Sequence, residues 1–339
     1  MNVLPELQEL ERLVVEGGAH LRVATVCRAE AQGRAFPVHA VVLGSEAPDV
    51  PAVGFFGGIH GLERIGTQVV LSFLGSLVSR LRWDRGLQEQ LRTVRLVFMP
   101  LINPGGMWLR SRCNPNGVDL MRNAPVEAEA GVPFLLGGQR ISPRLPWYRG
   151  PKNAPMEVES RALCRVVEEE LLRSDFSLAL DCHSGFGMRD RIWFPYARSA
   201  APIRHLSEVH ALKDLFDQAY PYHDYVFEPQ SRQYTSHGDL WDHLYLKALE
   251  RPQRVFLPLT LEMGSWRWVK KRPRQIFSLL GMFNPLAPHR LQRVMRRHLV
   301  WLDFLTRAVP GWRMWLPADE EQRSRHHQAA IERWYRVAP

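Results

Sequence analysis

The sequence predicts an α/β fold: a single domain with a mostly parallel, mixed and twisted sheet that is covered by helices on both faces. Short apolar runs alternate with segments whose apolar residues recur at helical spacing, and this alternation is typical of a covered sheet. A chain of 339 residues with 45% hydrophobic content can bury one full core. We expect a large domain over residues 1–310. A basic, tryptophan-containing tail over residues 311–339 would pack on this domain or extend from it.

The predicted elements begin with an amphipathic helix and a β-hairpin, whose turn is marked by QGR at 32–34. The helix over 64–81 has apolar residues at helical spacing that give it one buried side. Strands are predicted near 21–27, 36–43, 52–57, 93–99, 177–181 and 256–262, and helices near 3–16, 64–81, 156–172, 203–217 and 289–308.

A long irregular segment interrupts this pattern. Residues 124–155 hold six prolines and show no period. Long irregular segments inside compact domains are often lids or binding loops. We therefore expect an ordered loop, which either lines a pocket or makes a plain surface excursion.

His60 and Glu63, in the stretch GFFGGIHGLERIG, are the first candidate metal ligands. They follow an apolar run that stops at Gly57 and Gly58. A strand that ends in this way exposes the next side chains at its carboxyl edge, where open α/β sheets build their sites. A His and a Glu placed there can bind the same ion.

The same spacing recurs at His205 and Glu208. That second pair lies in a segment whose leucines and valine recur at helical spacing, so both residues fall on the polar side of an amphipathic helix. We interpret this pair as part of a solvated face.

A catalytic zinc ion generally has three protein ligands, often two His and one Glu, and an open fourth position. His183 is the best candidate for the third ligand, because it closes SLALDCHSGFG, another apolar run followed by small residues. None of the alternatives follows a strand and a turn; the most plausible of them are His223, His237 and His243.

In order and approximate separation, His60, Glu63 and His183 resemble the zinc ligands of the carboxypeptidase A-like metallocarboxypeptidases. This superfamily also includes the N-acyl amino acid deacylases of the succinylglutamate desuccinylase and aspartoacylase branch. The resemblance implies one Zn²⁺ per chain and a zinc carboxypeptidase-like catalytic domain over 1–310. Four further segments agree with it: NPGG at 103–106, RCNPNGVDLMRN at 112–123, YTSHG at 234–238 and LTLEMG at 259–264.

Two residues are expected to take part in the chemistry. Glu262 ends the apolar run VFLPLTLE, so its carboxylate would lie at the same sheet edge and could accept a proton from the attacking water. It matches the general base of the family. Arg112 stands seven residues before Asp119 and resembles the arginine that polarises the scissile carbonyl, with Arg110 as a close rival.

The resemblance implies three supporting roles. Asp119 would orient a ligand imidazole, that of His60, because metal-bound histidines usually donate their other N–H to an oxygen. Arg122 would bind the terminal carboxylate of the substrate, for which the guanidinium fork is suited. Tyr234 matches the mobile tyrosine that closes over bound substrate.

The sequence also departs from the family pattern. Met121 replaces an Asn that helps the arginine hold the carboxylate, and a thioether has no N–H to offer. Leu62 stands where digestive-type enzymes carry an arginine. Because these changes spare the metal ligands and the base, we predict a zinc-dependent metallocarboxypeptidase acting on a small peptide. A deacylase acting on an N-acyl amino acid is the alternative.

The net charge of +9 and the basic helix at 289–308 raise a second alternative, a non-catalytic protein that binds nucleic acid or an anionic surface. Clustered arginines attract phosphates without specifying a role, and no nucleic-acid-binding motif is recognised, so a nucleic-acid partner is not expected. The charge could instead attract acidic substrates.

The amino terminus does not resemble a signal peptide, and no apolar run is long enough to span a bilayer. We therefore expect a cytoplasmic enzyme. The four cysteines lack the paired spacing of a zinc knuckle, which favours reduced thiols. Nothing in the sequence indicates an oligomeric state.

Overall fold

The computed structural model describes residues 3–129 and 131–336. The first two residues of the predicted domain, residue 130 of the predicted loop and residues 337–339 of the predicted tail lie outside this part. Within it the chain forms one eight-stranded mixed sheet, whose strands are β1 Leu21–Ala31, β2 Arg34–Gly44, β3 Ala52–Gly57, β4 Arg95–Met99, β5 Phe176–Ser184, β6 Arg191–Phe194, β7 Val226–Pro229 and β8 Val255–Met263.

The strand order is β1-β2-β4-β3-β5-β8-β6-β7. The central strands β4, β3, β5 and β8 run parallel to one another, whereas β1, β2 and β6 pair with antiparallel neighbours. The predicted mixed sheet in a single α/β domain is confirmed.

Twelve α-helices surround the sheet in the described residues. They are α1 Pro5–Gly17, α2 Arg64–Arg80, α3 Arg85–Gln90, α4 Pro104–Leu109, α5 Val158–Val166, α6 Leu206–Ala219, α7 Leu240–Ala248, α8 Trp266–Lys271, α9 Leu279–Phe283, α10 Pro288–Ala308, α11 Trp312–Trp315 and α12 Glu320–Trp334. The helix predicted over 156–172 ends earlier, as α5, and a π-helical turn at Val167–Leu171 follows it. None of the helices seen in these residues combines the length and the apolar character needed to cross a membrane.

Adjacent residues of β3 show that the sheet is covered on both faces. The Phe55 ring lies 5.1 Å from that of Phe73 in α2, and the Phe56 ring lies 5.0 Å from that of Trp241 in α7. Successive side chains of a strand point to opposite faces. Helices α2 and α7 therefore lie on opposite sides of the sheet.

The register of the central strands places the candidate site. Gly57 of β3 pairs with Cys182 of β5, and His183 of β5 pairs with Glu262 of β8. Because these strands are parallel, their carboxyl ends meet at one edge of the sheet. Residues that follow or end the three strands are thereby brought together.

The carboxyl-terminal segment packs on the sheet. The Trp312 ring stacks on Phe176 at 5.2 Å, and Trp334 lies 4.8 Å from the Phe194 ring while its Nε1 donates to the Phe227 carbonyl at 2.7 Å. The domain boundary at 310 stays a prediction. The four thiols are free, as expected: Cys27, Cys113, Cys164 and Cys182.

The interpretation of His205 and Glu208 as a solvated face is wrong, because both side chains are buried. Helix α12 covers this side of α6, and Arg323 of α12 pairs with Glu208. The Tyr245 hydroxyl lies 3.1 Å from His205 Nδ1. The two residues thus serve in packing, without forming a metal site.

Candidate metal centre and active site

The three predicted metal ligands converge at the carboxyl edge of the sheet. His60 Nδ1 lies 2.9 Å from Glu63 Oε1, and His183 Nδ1 lies 3.1 Å from Glu63 Oε2. One ligand atom from each residue lies within 4.8 Å of the others, and all three side chains are buried. The structure therefore brings together the residues that the sequence singled out.

Each imidazole is oriented by a carboxylate. His60 Nε2 lies 3.0 Å from Asp119 Oδ1, and His183 Nε2 lies 2.7 Å from Asp181 Oδ2. Asp181 was missed in the sequence analysis. Its position two residues before His183 was a usable signal, because residues i and i+2 of a strand share a face.

The donor set fits a zinc ion. With each Nε2–H donating to an aspartate, the two Nδ1 lone pairs face the Glu63 carboxylate, so three acceptors point at one another. His60 Nδ1 is buried and has no hydrogen-bond partner in the described chain, although a Glu63 oxygen is close. Two imidazoles and one carboxylate are a usual catalytic zinc set, and a dication between them would remove this conflict.

Glu262 lies beside this cluster. It is buried at the end of β8, and its Oε1 accepts a hydrogen bond from the Phe186 backbone N–H at 2.9 Å. Burial, together with the charge of nearby Glu63, raises the pKa of Glu262 to about 8. A carboxylate with raised proton affinity is a stronger base, as proton transfer requires.

Arg112 contacts both a candidate metal ligand, Glu63, and the aspartate that orients His60. Its Nη1 donates to Glu63 Oε1 at 2.9 Å, and its Nε donates to Asp119 Oδ2 at 3.0 Å. Burial alone would raise the pKa of Asp119, but Arg112 and His60 hold it well below its ordinary value. The rival Arg110 is exposed at the end of α4. The structure thus favours Arg112 as the arginine of the site.

Arg122 and Tyr234 face each other in the same cavity. Arg122 Nη2 donates to the Tyr234 hydroxyl at 3.3 Å, and the guanidinium lies 5.8 Å from the ring centroid. Asp239 Oδ2 lies 3.9 Å from Arg122 Nη1. Arg122 is therefore held in place while it remains on the cavity wall.

The cavity has a volume of about 240 Å³. Leu136 and Trp147 of the irregular segment contribute to its wall, so that segment lines the pocket. Aromatic and aliphatic side chains predominate away from the metal cluster. The lining residues are His60, Glu63, Arg112, Met121, Arg122, Leu136, Trp147, His183, Ser184, Gly185, Phe186, Trp193, Gln230, Tyr234, Thr260, Glu262 and Phe283.

Backbone packing beneath Arg122 depends on Gly238. This glycine has a φ of +71°, and a Cβ there would lie 1.9 Å from the Arg122 carbonyl oxygen. The Arg149 guanidinium donates to that same oxygen at 3.2 Å through its Nε. A side chain at Gly238 would therefore displace the backbone of Arg122.

We expect Gly238→Ala to lower the free energy of unfolding by roughly 3 kcal/mol or more, because it combines left-handed strain with a steric clash. Gly33→Ala is the matched control: Gly33 has the same φ of +71° but nothing within 4 Å of a new Cβ. The control should lose only about 1–2 kcal/mol. Urea denaturation of both variants measures the difference, and equal losses would contradict the importance of the clash.

The alternative histidines do not join the metal cluster. His223 Nε2 lies 2.7 Å from Asp217, and His237 Nδ1 lies 2.8 Å from Glu127. His243 is partly buried on α7. Among the residues that the structure describes, none of these three belongs to a group of side chains able to hold a metal.

Two histidines and a glutamate that could hold a metal lie at the carboxyl edge of a mixed sheet, where α/β folds build their active sites, and this donor set is one that metal-dependent hydrolases use. Comparison with known families is more specific, since a profile described as zinc carboxypeptidase matches residues 18–250. The chain belongs to the zinc carboxypeptidase family. The matched range includes His60, Glu63 and His183 but ends before Glu262.

Individual relatives match over shorter stretches. Carboxypeptidase SOL1 of Arabidopsis thaliana is 30% identical over 93 residues, which are 26% of this chain and 19% of the plant protein. Carboxypeptidase D of Anas platyrhynchos is 23% identical over 179 residues, which are 48% of this chain and 11% of the duck protein. The chain thus spans about a fifth or less of the length of these relatives.

Two crystal structures show the same fold at low sequence identity. Thrombin activatable fibrinolysis inhibitor superposes with a TM-score of 0.66 at 17% identity, covering 90% of this chain and 74% of that one. Carboxypeptidase A of Helicoverpa armigera superposes with a TM-score of 0.64 at 17% identity, covering 89% and 71%. The architecture is therefore that of carboxypeptidase A.

Proposed function

We propose that the protein is a zinc-dependent metallocarboxypeptidase that hydrolyses the carboxyl-terminal peptide or amide bond of a small peptide. The observation that carries the proposal is that the ligand cluster, Glu262 and Arg122 line one and the same cavity. A metal site, a base and a cation for the substrate carboxylate are thus available to one bound molecule. Family membership supports the same conclusion.

His60, Glu63 and His183 would hold one zinc ion at this centre. When bound, zinc polarises a carbonyl and lowers the pKa of water to ~7. Asp119 and Asp181 accept hydrogen bonds from the two Nε2–H groups and would thereby keep both Nδ1 atoms free to bind the ion.

Glu262 would accept the proton of the attacking water at a carboxylate oxygen and pass it to the leaving amine. Arg112 lines the cavity and would donate an N–H to the carbonyl oxygen as negative charge develops there. Glu262 is buried and Arg112 is partly buried, and electrostatic interactions are stronger in such surroundings than in water.

Arg122 would bind the terminal carboxylate of the substrate, and Tyr234 would close over it. Met121 stands on the same wall and offers no N–H, so the carboxylate would depend mainly on Arg122. Charged hydrogen bonds are worth about 1.5–3 kcal/mol. Removal of the Arg122 guanidinium should therefore cause a measurable loss of affinity for the substrate carboxylate.

We expect Arg122→Ala to lower kcat/KM for free-acid peptides by roughly 10–100-fold, mainly through KM. Carboxyl-amidated peptides of the same sequence lack the charge that Arg122 recognises, so their much lower rate should change little. Arg110→Ala, at an exposed arginine close by in the chain, is the control. An equal fall in kcat/KM for both substrates would contradict the proposed role of Arg122 in binding the carboxylate.

A deacylase acting on N-acyl amino acids is the alternative. It is compatible with the same cavity, because such substrates would also present a free carboxylate to Arg122. The two functions differ in what lies on the acyl side of the scissile bond. The cytoplasmic location stays a prediction.

A further inference from the structure

A second group of potential metal ligands lies between helices α6 and α12, away from the active-site cavity. It consists of His210 and Asp214 of α6 and His326 of α12. The His210 and His326 Nδ1 atoms are 2.9 Å apart, and Asp214 Oδ2 lies 3.4 Å from the first and 3.8 Å from the second. His210 and Asp214 are four residues apart, which places them on one face of the helix.

The geometry resembles that of the first cluster. Both groups present two Nδ1 atoms and one carboxylate oxygen. Zinc bonds of ~2.0–2.1 Å in tetrahedral arrangement require ligand atoms about 3.3–3.4 Å apart, and the three separations at the second group lie around this value. Small side-chain rotations would bring all three atoms to one ion.

We propose that His210, Asp214 and His326 hold a second divalent cation of the zinc type, which fastens helix α12 to α6. Two imidazoles and one carboxylate suit zinc and similar transition metals better than magnesium or calcium, which prefer oxygen ligands. A fourth position would remain for water, because His326 and Asp214 are only partly buried. The chain would then hold two zinc ions, one more than the resemblance implies.

A hydrogen bond between the two imidazoles is the competing explanation. One Nδ1–H could donate to the other Nδ1, but the Asp214 oxygen would remain too far from either for a good hydrogen bond. Lys213, the nearest basic neighbour on α6, is paired with Asp217, so its charge is largely compensated.

The contacts between α12 and the rest of the domain indicate the effect that such an ion would have on this helix. Of its fifteen residues only Ala330 and Trp334 are buried. Polar contacts tie it near its two ends: Ser207 Oγ donates to the Arg323 carbonyl at 3.0 Å, the Arg323 side chain pairs with Glu208, and Trp334 donates to the Phe227 carbonyl. His326 lies between these points, so an ion there would hold the middle of the helix.

The test uses the 339-residue chain carrying His60→Ala, which removes one ligand and so weakens the first site strongly enough for zinc binding to report on the second. Zinc is titrated against a chromophoric competitor, and the melting temperature is recorded with and without zinc. We expect one equivalent bound and a higher melting temperature. Adding His326→Gln should abolish both effects, whereas adding His327→Gln, at the exposed neighbour on the same helix, should preserve them.

Two results would overturn the proposal: no zinc bound by the His60→Ala chain, or equal binding by the His326→Gln and His327→Gln forms. Asp214→Asn provides a second variant at a partly exposed position, where misfolding is not a concern, and it should weaken zinc binding at least tenfold. Because His60→Ala disables the first site in every sample, the outcome is independent of the proposed peptidase activity.

Discussion

Glu262→Gln is expected to retain zinc and to lower kcat by roughly 10²–10⁴-fold, the usual contribution of a positioned general base. The amide has nearly the same shape as the carboxylate but cannot accept a proton from water. The Phe186 N–H that donates to Glu262 at 2.9 Å can donate equally to the amide oxygen, so the local fold should persist. Steady-state kinetics with zinc analysis of the same sample measures both properties.

Glu250→Gln, at an exposed glutamate that follows α7, is the matched control and should behave like the wild type. A Glu262→Gln enzyme that turns over within a few-fold of the wild type would show that another group is the base. Loss of zinc together with loss of turnover would instead assign Glu262 to the integrity of the metal centre.

His60→Ala and His183→Ala are each expected to lose one equivalent of bound zinc and all measurable hydrolysis. Each change removes one of three ligands and leaves the partner aspartate, Asp119 or Asp181, without its imidazole. A two-ligand site binds zinc far more weakly than a three-ligand site. Metal analysis after dialysis against a zinc buffer measures the loss.

His243→Ala is the control for both ligand variants, since His243 was a candidate ligand in the sequence and lies on α7 outside the cluster. It should keep the wild-type zinc content and activity. A His183→Ala protein with unchanged zinc content would mean that His183 is not a ligand.

The strands that carry the site could be predicted because they are buried throughout. Every residue of β3 and of β5 is buried, so both appear in the sequence as largely apolar runs that are followed by small residues. His60, Glu63 and His183 could be identified as candidate ligands because they follow or lie at the ends of these strands. Asp119, Arg112 and Arg122 needed the family resemblance, since they lie on a loop and a single 3-10 turn at Leu120–Arg122, which are too short to give a periodic signal.

Other elements depend on long-range contacts that no local pattern records. Strands β6 and β7 have four residues each, too few to establish an alternation. Helix α12 is polar and buries two side chains, so it lacks the apolar period that marks a helix. Because this covering helix could not be predicted, His205 and Glu208 were interpreted as solvent-exposed. The second His-Asp-His group was missed for the same reason, because His326 meets α6 only in the folded chain.

The most direct test of the proposed activity is mass-spectrometric product analysis of the zinc-loaded protein, with Glu262→Gln as the inactive control. The substrates are free-acid peptides, the same peptides with amidated carboxyl termini, and N-acyl amino acids. We predict release of single carboxyl-terminal residues from the free acids by the wild type alone. Cleavage confined to N-acyl amino acids would contradict the account in favour of a deacylase, and no cleavage of any substrate would favour a non-catalytic binding protein.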